Sequence, residues 1–364
     1  MKKILIVDTS YPINNRTNKF RKSFLNDFDV AVLTWDRIGN KKETPPGFFL
    51  FKMRAEIGNR LKKLFLLPLF IVFGFRSFRK FKPDVLFVSH WDSLVLGGLI
   101  KFFNRRVKLV YDCLDMPSSS SKFVEKQLTK LEASFLKNTD LTIYASRYFP
   151  ERYNDVDEYV VFENYPSAAL LEKTSEVPEW YSSIKKAKEA NETIVSWVGV
   201  VRFPSVLEKL IESFRDLNMK LIFFGDGPSV DFAKREVARK GLYDKVLFKG
   251  RYSQQQLPYI YEVSDLIWAA YPTDNINAVY AISNKFFECA IFEKTPVISS
   301  GTRMADDFRK FFPKSAVLVD EFDPDDIRRK LTDKANTKSE FKNYQETIFW
   351  EERSKELNCL IDRL

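Results

Sequence analysis

The chain has 364 residues, of which 45% are apolar, and its 58 Lys and Arg residues exceed its 49 Asp and Glu residues to give a formal net charge of +9. This composition excludes a disordered chain, and the length fits two globular domains. The positive charge is spread along the chain, which favours anionic partners such as phosphates or acidic lipids. It does not form the basic stripe with interleaved aromatics that is typical of nucleic-acid-binding proteins, so we expect no nucleic-acid partner.

The sparse cysteines indicate a cytoplasmic protein, and the single histidine limits the metal sites that the chain can form. Three cysteines lie far apart in the chain, at Cys113, Cys289 and Cys359. An odd number without paired spacing argues against a disulfide framework or a zinc site and favours a reducing compartment. One histidine excludes a His-rich metal site. Only four strongly apolar residues, Ile4–Val7, follow the first lysines; this run is too short for a signal peptide and predicts a first buried strand.

Short apolar runs alternate with longer helical stretches along the whole chain. In the first half they are Ile4–Val7, Val30–Leu33, Val85–Val88, Val107–Tyr111, Leu141–Tyr144 and Tyr159–Phe162. In the second half they are Ile194–Val198, Lys220–Phe224, Lys245–Phe248, Leu266–Ala269, Pro296–Ile298 and Ala316–Val319. Continuous runs of this length are typical of parallel strands covered by helices on both faces. The sequence therefore predicts an α/β protein with two Rossmann-like, doubly wound parallel-sheet domains that face a cleft.

The domain boundary is predicted near Asn164, where an apolar strand ends and Pro166 stiffens a turn. The first domain then spans residues 1–164 and the second residues 165–344. We expect a C-terminal helix over residues 345–364 to pack back on the first domain.

A twelve-residue apolar segment, Leu64–Phe75, has basic residues on both sides. As a helix it spans about 18 Å, which is too short to cross a bilayer. It is either a buried core helix or a segment that lies in an anionic membrane interface. The basic flanks favour the second interpretation, so we expect residues 60–80 to make a peripheral membrane contact.

Polar residues at the ends of the predicted strands are the candidates for chemistry, because ligands of open α/β sheets bind beyond the carboxyl ends of strands. In the first half these candidates are Arg16, Lys19, His90, Asp92 and Asp115. His90 is the only histidine of the chain, and an imidazole suits proton transfer or a hydrogen bond to a hydroxyl group. The alternative is a structural histidine that only makes hydrogen bonds within the fold.

In the second half, glycines and basic residues follow the strands. They are Gly199 with Arg202, Gly225 with Gly227, and Arg251. The glycines allow the backbone to turn sharply and approach a ligand closely. For Gly225–Pro228 taken alone, a simple strand-to-helix turn is the preferred interpretation.

The stretch Ser283–Ile298 carries the sharpest signal. Ser283 or Asn284 can cap a helix, which places Lys285 in the first turn. A cation is unfavourable at a helix N-terminus unless an anion joins it, so Lys285 and the free backbone N–H groups predict a diphosphate site. Glu288 lies one turn further on the same face, where its carboxylate can accept two hydrogen bonds from a ribose diol.

This stretch resembles the signature of GT-B glycosyltransferases, in which a Lys and a Glu on the helix before a Pro-Val-Ile strand hold the nucleotide diphosphate. Four further segments resemble other parts of the same fold in order and spacing: Glu163–Pro166, Trp197–Gly199, Phe223–Pro228 and Val246–Gly250. The resemblance therefore covers nearly the whole chain. Among GT-B enzymes, the chain resembles the large retaining glycosyltransferase group 1 family, whose members assemble bacterial polysaccharides and glycolipids.

The resemblance implies a role for each candidate. The second domain would bind a nucleotide sugar, in the first instance a UDP-sugar, through Gly199, Arg202, Gly225, Gly227, Arg251, Tyr280, Ser283, Asn284, Lys285 and Glu288. The first domain would bind a saccharide or lipid-linked acceptor through Arg16, Lys19 and Asp92, with His90 and Asp115 as catalytic groups. No cofactor and no metal are expected, because no Asp-x-Asp signal lies where a donor metal would bind.

The sequence departs from the group 1 pattern in two places. Tyr280 occupies the position of an acidic residue, and Val200 and Ser205 occupy those of an Arg and a Lys, so that Arg202 would contact phosphate from a shifted position. A retaining reaction is slightly favoured. The alternative is an inverting transferase, similar to the glucuronosyltransferase of xanthan assembly, with Asp115 as the base. Alternatives from other classes are a sugar-nucleotide epimerase and a non-enzymatic anion-binding protein.

Overall fold

The computed structural model describes residues 1–39, 43–55, 60–119, 121–153, 156, 158–336, 344 and 346–364. The chain divides into two compact units. The first consists of Met1–Asn164 and Glu351–Leu364, and the second of Tyr165–Trp350.

The first unit contains one seven-stranded parallel sheet. Its strands are β1 (Lys3–Asp8), β2 (Asp29–Asp36), β3 (Phe48–Lys52), β4 (Val85–Ser89), β5 (Lys108–Cys113), β6 (Leu141–Tyr144) and β7 (Tyr159–Val161). Its helices before the boundary are α1 (Asn15–Phe24), α2 (Arg60–Phe81), α3 (Trp91–Phe103) and α4 (Lys122–Leu136). The strand order is β3-β2-β1-β4-β5-β6-β7, so β1 pairs with both β2 and β4.

The second unit contains a six-stranded parallel sheet. Its strands are β8 (Thr193–Val198), β9 (Met219–Phe224), β10 (Val246–Gly250), β11 (Leu266–Trp268), β12 (Thr295–Ser299) and β13 (Val317–Val319). Its helices are α5 (Tyr181–Glu189), α6 (Pro204–Ser213), α7 (Val230–Lys240), α8 (Leu257–Val263), α9 (Ile276–Tyr280), α10 (Asn284–Ile291), α11 (Arg303–Phe311) and α12 (Pro324–Asn336). The strand order is β10-β9-β8-β11-β12-β13.

Both faces of this second sheet are covered by apolar side chains. Val195 and Trp197 of β8 belong to one buried cluster, and Ile194 and Val198 belong to another. Successive side chains of a strand point to opposite faces, so a strand buried on both faces must be apolar throughout. This explains the continuous apolar runs, and the predicted α/β architecture with two parallel sheets is confirmed.

The run Phe48–Lys52, which the strand pattern above does not include, forms the edge strand β3. It pairs with β2 from Val32↔Phe48 to Asp36↔Lys52. Only one neighbour satisfies its backbone, and Phe48 and Phe49 are only partly buried, whereas Leu50 and Phe51 are buried.

The apolar segment of α2 has two different sides. Phe70 is fully buried and its ring stacks on that of Trp35, with centroids 5.4 Å apart. By contrast, Phe65 is 88% exposed and Leu69 is 49% exposed. In the described part of the chain, no helix combines the length and the hydropathy that a membrane span requires.

The last helix, α13 (Trp350–Arg363), belongs to the first unit apart from its first residue. Leu357 and Ile361 are buried, and the Asn358 side-chain amide donates a hydrogen bond to the Ser23 carbonyl oxygen at 3.1 Å. Residue 345, where the sequence places the start of this helix, lies outside the described residues.

Candidate functional site

The order of the strands reverses at one position in each sheet. In the first unit the reversal lies between β1 and β4, and in the second unit it lies between β8 and β11. Open α/β sheets bind ligands beyond the carboxyl ends of the strands at such positions. Each unit therefore has its own candidate site.

In the second unit, the loops after β8, β9 and β10 touch through their backbones. A Cβ atom on Gly225 would lie 1.8 Å from the Gly199 carbonyl oxygen, and one on Gly227 would lie 2.3 Å from the Val201 carbonyl oxygen. Gly225 also has a φ of 143° and donates its N–H to the Gly250 carbonyl oxygen at 2.7 Å. Only glycine fits these positions, which is a more specific requirement than that of an ordinary turn.

These loops line an open pocket. Its lining residues are Gly199, Val200, Gly225, Asp226, Gly227, Arg251 and Tyr252. The Arg251 Nε atom donates to Asp226 Oδ2 at 2.8 Å, and this hydrogen bond holds the pKa of Asp226 below its ordinary value. The Arg251 side chain is 86% exposed, so the pair adds little to stability and leaves the guanidinium accessible to an anion.

Helix α10 carries the predicted diphosphate and ribose residues. The Ser283 side chain caps it by accepting a hydrogen bond from the Lys285 N–H at 3.2 Å, and Asn284 is exposed at the first helical position. Lys285 Nζ donates to Glu288 Oε2 at 2.5 Å, and both side chains are largely buried. The anion that compensates the cation at this helix start is therefore Glu288 itself.

Burial alone would lower the pKa of Lys285, but the adjacent Glu288 carboxylate outweighs burial and raises it above its ordinary value. Tyr261 of α8, which the sequence analysis did not identify, donates its hydroxyl hydrogen to the same Glu288 oxygen. Its sequence signal is weak, because a Tyr in an apolar helix is equally consistent with the core. Lys285 and Glu288 thus form a buried ion pair, and Tyr261 donates a hydrogen bond to its carboxylate.

The remaining predicted donor residues lie nearby in the same unit. Arg202 is exposed on the loop before α6, and its guanidinium lies 4.6 Å from the centroid of the Phe203 ring. Tyr280 ends α9, is partly buried, and lies under the Arg303 guanidinium at 5.7 Å. Neither residue contributes to the pocket lined by the glycine loops.

In the first unit, the carboxyl ends of β1 and β4 bring Asp8 close to His90. Asp8 Oδ2 accepts a hydrogen bond from Asn14 Nδ2 at 2.8 Å, and the same nitrogen lies 3.4 Å from His90 Nε2. Burial raises the pKa of Asp8, although His90 opposes this shift. His90 has a φ of 69°, an unfavourable conformation for a non-glycine residue that is often found at functional sites. Asp8, which directly follows the first apolar run, is not among the site residues that the sequence predicts.

Asp92 lies beside this pair. It accepts a hydrogen bond from Thr9 Oγ1 at 2.7 Å and pairs with the Lys63 ammonium group of α2. Burial would raise the pKa of Asp92, but the charge and hydrogen bond of Lys63 hold it below its ordinary value.

Three other predicted residues of this unit, Arg16, Lys19 and Asp115, differ in how deeply they are buried. Arg16 is buried, and its Nε and Nη2 atoms donate to Asp112 at 2.9–3.1 Å while Nη2 also donates to the Phe162 carbonyl oxygen. These contacts hold α1 against the ends of β5 and β7. Lys19 is partly buried one turn further along α1, and Asp115 is exposed on the loop after β5.

Comparison with solved structures identifies the fold. Over 100% of this chain, the structure is similar to a sucrose-phosphate synthase from Thermosynechococcus elongatus (TM-score 0.74, 15% identity, 99% of that chain). It is also similar to Anabaena HepE in complex with UDP and glucose (TM-score 0.69, 16% identity, 100% of each chain). A putative UDP-N-acetylglucosamine 2-epimerase from Listeria monocytogenes matches over 100% of this chain and 96% of its own (TM-score 0.68, 10% identity).

The chain therefore has the GT-B fold, which glycosyltransferases and epimerases share among these structures. No protein-family model matches the sequence, and no curated protein matches it.

Proposed function

We propose that this protein is a glycosyltransferase that moves a sugar from a nucleotide-sugar donor, a UDP-sugar in the first instance, to a saccharide or lipid-linked saccharide acceptor. Such a reaction belongs to the synthesis of cell-surface polysaccharide or glycolipid. The observation that carries the proposal is the buried Lys285–Glu288 pair at the start of α10. The complex of HepE, a protein of the same fold, with UDP and glucose supports the choice of UDP.

The donor site works by exchange of anions. A diphosphate that approaches the start of α10 replaces Glu288 as the partner of Lys285 and also meets the N-terminal backbone N–H groups. Once released from Lys285, the Glu288 carboxylate accepts hydrogen bonds from the ribose hydroxyl groups. Exposed Arg202 and Arg251 supply further positive charge for the phosphates.

The acceptor site is assigned to the first unit. His90 and Asp115 are its proposed catalytic groups, and Asp8 is the charge that faces His90. For a retaining reaction the donor phosphate serves as the base, and His90 orients the acceptor hydroxyl. For an inverting reaction, which Asp115 would serve as base, one carboxylate must align with that hydroxyl. We favour the retaining course.

A panel of nucleotide sugars tests the donor assignment. A ligand present at 100 times its Kd stabilises the folded state by about 2.7 kcal/mol, so the correct donor and its nucleoside diphosphate should both raise the melting temperature. Transfer is then measured as acceptor-dependent release of nucleoside diphosphate. If no nucleotide shifts the melting temperature, the donor assignment is wrong.

An epimerase is the second candidate, because the Listeria epimerase shares the fold. An epimerase converts its nucleotide sugar without any acceptor and leaves the diphosphate attached. Analysis of the sugar after incubation of the donor alone separates the two functions: a new epimer supports the epimerase, and unchanged donor supports the transferase.

We also propose a peripheral contact of residues 60–80 with the inner face of the cell membrane, which agrees with a cytoplasmic protein that acts on a lipid-linked acceptor. Phe65 and Leu69 expose their side chains, and α2 contains no acidic residue. Each basic residue near an anionic surface adds about 1 kcal/mol to binding. Binding to vesicles of phosphatidylglycerol and phosphatidylcholine should therefore weaken as salt increases. In the variant with Lys62, Arg76, Arg79 and Lys80 changed to Gln, it should fall strongly.

A further inference from the structure

A second exposed apolar group extends the exposed side of α2. Phe102 and Phe103, the last residues of α3, are 72% and 73% exposed. The ring of Phe103 lies 5.9 Å from that of Phe75, which is one helical turn beyond exposed Val72. Leu64, Phe65, Leu69 and Val72 of α2 thus continue into this pair of rings, and together we call these six side chains the apolar strip.

The charges around the apolar strip select the partner that covers it. Arg76 and Arg79 are exposed in the last turns of α2, after Val72. Arg105 and Arg106 are exposed just beyond Phe103. Within the part of the chain that the structure describes, none of these four guanidinium groups has a carboxylate partner within 4.0 Å. An apolar surface bordered by unpaired cations fits an anionic lipid bilayer, in which the rings enter the acyl boundary and the guanidinium groups meet the phosphates.

The apolar strip begins beside the candidate acceptor site. Lys63 pairs with Asp92 and also lies 3.4 Å from Thr9 Oγ1, at the carboxyl ends of β1 and β4. Phe65 follows two residues later, about 3 Å further along the helix axis. A helix that connects two parallel strands runs antiparallel to them, so its first turn lies at the edge of the sheet where ligands bind. One lysine side chain therefore links the start of the apolar strip to the Asp8–His90–Asp92 group.

We propose that the acceptor is a lipid-anchored saccharide with a short head group, whose reacting hydroxyl stays close to the phosphate layer of the membrane. This inference rests on the proposed transferase function. A bilayer that covers the apolar strip lies next to the acceptor site, so a head group of one or two sugars reaches His90 without leaving the membrane surface. A long, fully hydrated polysaccharide gains nothing from that placement.

The reaction then has a defined place in a sequence of reactions. The acceptor oxygen forms a bond to the anomeric carbon of the donor while the bond from that carbon to the phosphate oxygen breaks. The hydroxyl proton passes to the base, and the nucleoside diphosphate leaves. An earlier membrane reaction must have attached the first sugar to the lipid, and the product, longer by one sugar, is still anchored for the next transferase.

The test uses labelled UDP-sugars with two acceptor fractions from the source cells. One fraction is the total lipid extract, incorporated in vesicles of phosphatidylglycerol and phosphatidylcholine, and the other is the water-soluble saccharide fraction. UDP-glucose, UDP-galactose, UDP-N-acetylglucosamine and UDP-glucuronate are supplied in turn, and UDP binding is measured separately. We expect label in the organic phase, in a product whose head group contains two or three sugars after mild acid release.

A double variant, Phe65→Ser with Leu69→Ser, should lower transfer to the lipid fraction at least ten-fold and leave the affinity for UDP unchanged. Phe311→Ser, which removes a 58% exposed ring from the second unit, is the matched control and should leave both unchanged. Label only in water-soluble saccharides, or equal lipid transfer by the double variant, overturns the inference while the transferase function stands. Bound UDP without transfer to either fraction contradicts the transferase function itself.

Discussion

Lys285 is buried yet charged, because Glu288 accepts its hydrogen bond and Tyr261 donates to the same carboxylate. An isolated buried charge costs several kcal/mol, so removal of either partner alone should destabilise the fold. In the proposed donor site, a diphosphate that replaces Glu288 would keep Lys285 paired and would free Glu288 to bind the ribose.

Lys285→Ala should weaken UDP binding by about 1.5–3 kcal/mol, the range for hydrogen bonds to charged groups, which is roughly a 10- to 150-fold increase in Kd. Titration calorimetry measures this change. Lys186→Ala removes an exposed lysine from α5 of the same unit and should leave the Kd unaltered. An unchanged Kd in Lys285→Ala would remove α10 from the donor site.

Substitutions of His90 and Asp115 test their separate roles at the proposed acceptor site. In the retaining course that we favour, His90 orients the acceptor hydroxyl and the donor phosphate is the base, so His90→Gln should lower turnover by less than the about 10²–10⁴-fold that loss of a proton-transferring group causes. UDP affinity should stay the same, because the proposed donor residues lie in the second unit. An inverting reaction with Asp115 as base requires that larger loss in Asp115→Asn, and product stereochemistry from NMR decides between the two courses. Full turnover in both variants would show that neither residue is catalytic.

Sequence reasoning identified Lys285 and Glu288 because a lysine at a helix start is unusual without an anion. It could not show that Glu288 supplies that anion, since the pairing depends on side-chain rotamers. Asp8 was not predicted as a site residue for a related reason. A single carboxylate at the end of a strand has no distinctive spacing, and its proximity to His90 arises only from the parallel pairing of β1 with β4.

At the scale of elements, a buried carboxylate holds α4 against the sheet of the first unit. Glu132 is 1% exposed, and its two oxygens accept hydrogen bonds from the Tyr111 hydroxyl at 2.5 Å and the Tyr153 hydroxyl at 2.7 Å. Burial raises the pKa of Glu132 to about 7, although both hydrogen bonds lower it. The α4 helix is therefore attached through a group that changes charge near neutral pH.

This raised pKa gives a stability profile with a definite sign. The unfolded carboxyl ionises near pH 4.5 and the folded one near pH 7, so its contribution is complete below pH 4.5 and is lost as the pH rises to 7. The loss amounts to about 3 kcal/mol. Glu132→Gln cannot ionise, so its free energy of unfolding should fall less than that of the wild type between pH 5 and pH 8. Urea denaturation at each pH measures the difference.

Glu158→Gln is the control, because it removes an exposed carboxylate from the same unit and should follow the wild-type profile. Parallel profiles for the wild type and Glu132→Gln would mean that Glu132 is ionised throughout this pH range.

Because α2 has a buried and an exposed side, Phe→Ala substitutions on the two sides should change the free energy of unfolding by very different amounts. Phe70→Ala removes a ring that is fully buried against Trp35 and Phe51, and should cost about 3–5 kcal/mol of unfolding free energy. Phe65→Ala removes a ring that is 88% exposed, and should change stability by less than about 0.5 kcal/mol. Denaturant titration compares them directly, and equal losses would contradict the orientation of the helix.

Sequence patterns located most strands because parallel strands covered on both faces require continuous apolar runs. They did not locate β3, whose four apolar residues follow Pro45, Pro46 and Gly47 and whose edge position leaves part of the run exposed. For α2 the sequence left a core helix and an interfacial helix as alternatives. The structure shows that one helix has both a buried and an exposed apolar side, which its composition alone cannot reveal.

At the scale of the whole molecule, the net charge of +9 agrees with substrates that are anions. In the second unit the basic side chains near the glycine loops and α10 include Arg202, Arg251 and Lys285. The first unit adds the basic residues that border the apolar strip. The positive balance thus has two uses in our proposals, one for the donor phosphates and one for an anionic membrane.

The same distribution leads to the expectation that transfer needs no divalent metal. A metal that serves a nucleotide sugar neutralises charge on the departing diphosphate, and Lys285 with the two arginines can supply that charge directly. Among the described residues, no group of three or more His, Cys, Asp or Glu side chains could hold a metal ion. Because the three basic side chains of the proposed site can offset the diphosphate charge, we expect transfer to proceed at its full rate in excess EDTA. The measurement is nucleoside diphosphate release before and after dialysis against EDTA, with a metal-dependent transferase assayed in parallel to prove that chelation was complete. Loss of activity that Mg²⁺ or Mn²⁺ restores would show that the positive side chains are insufficient and that the donor brings a metal to the site.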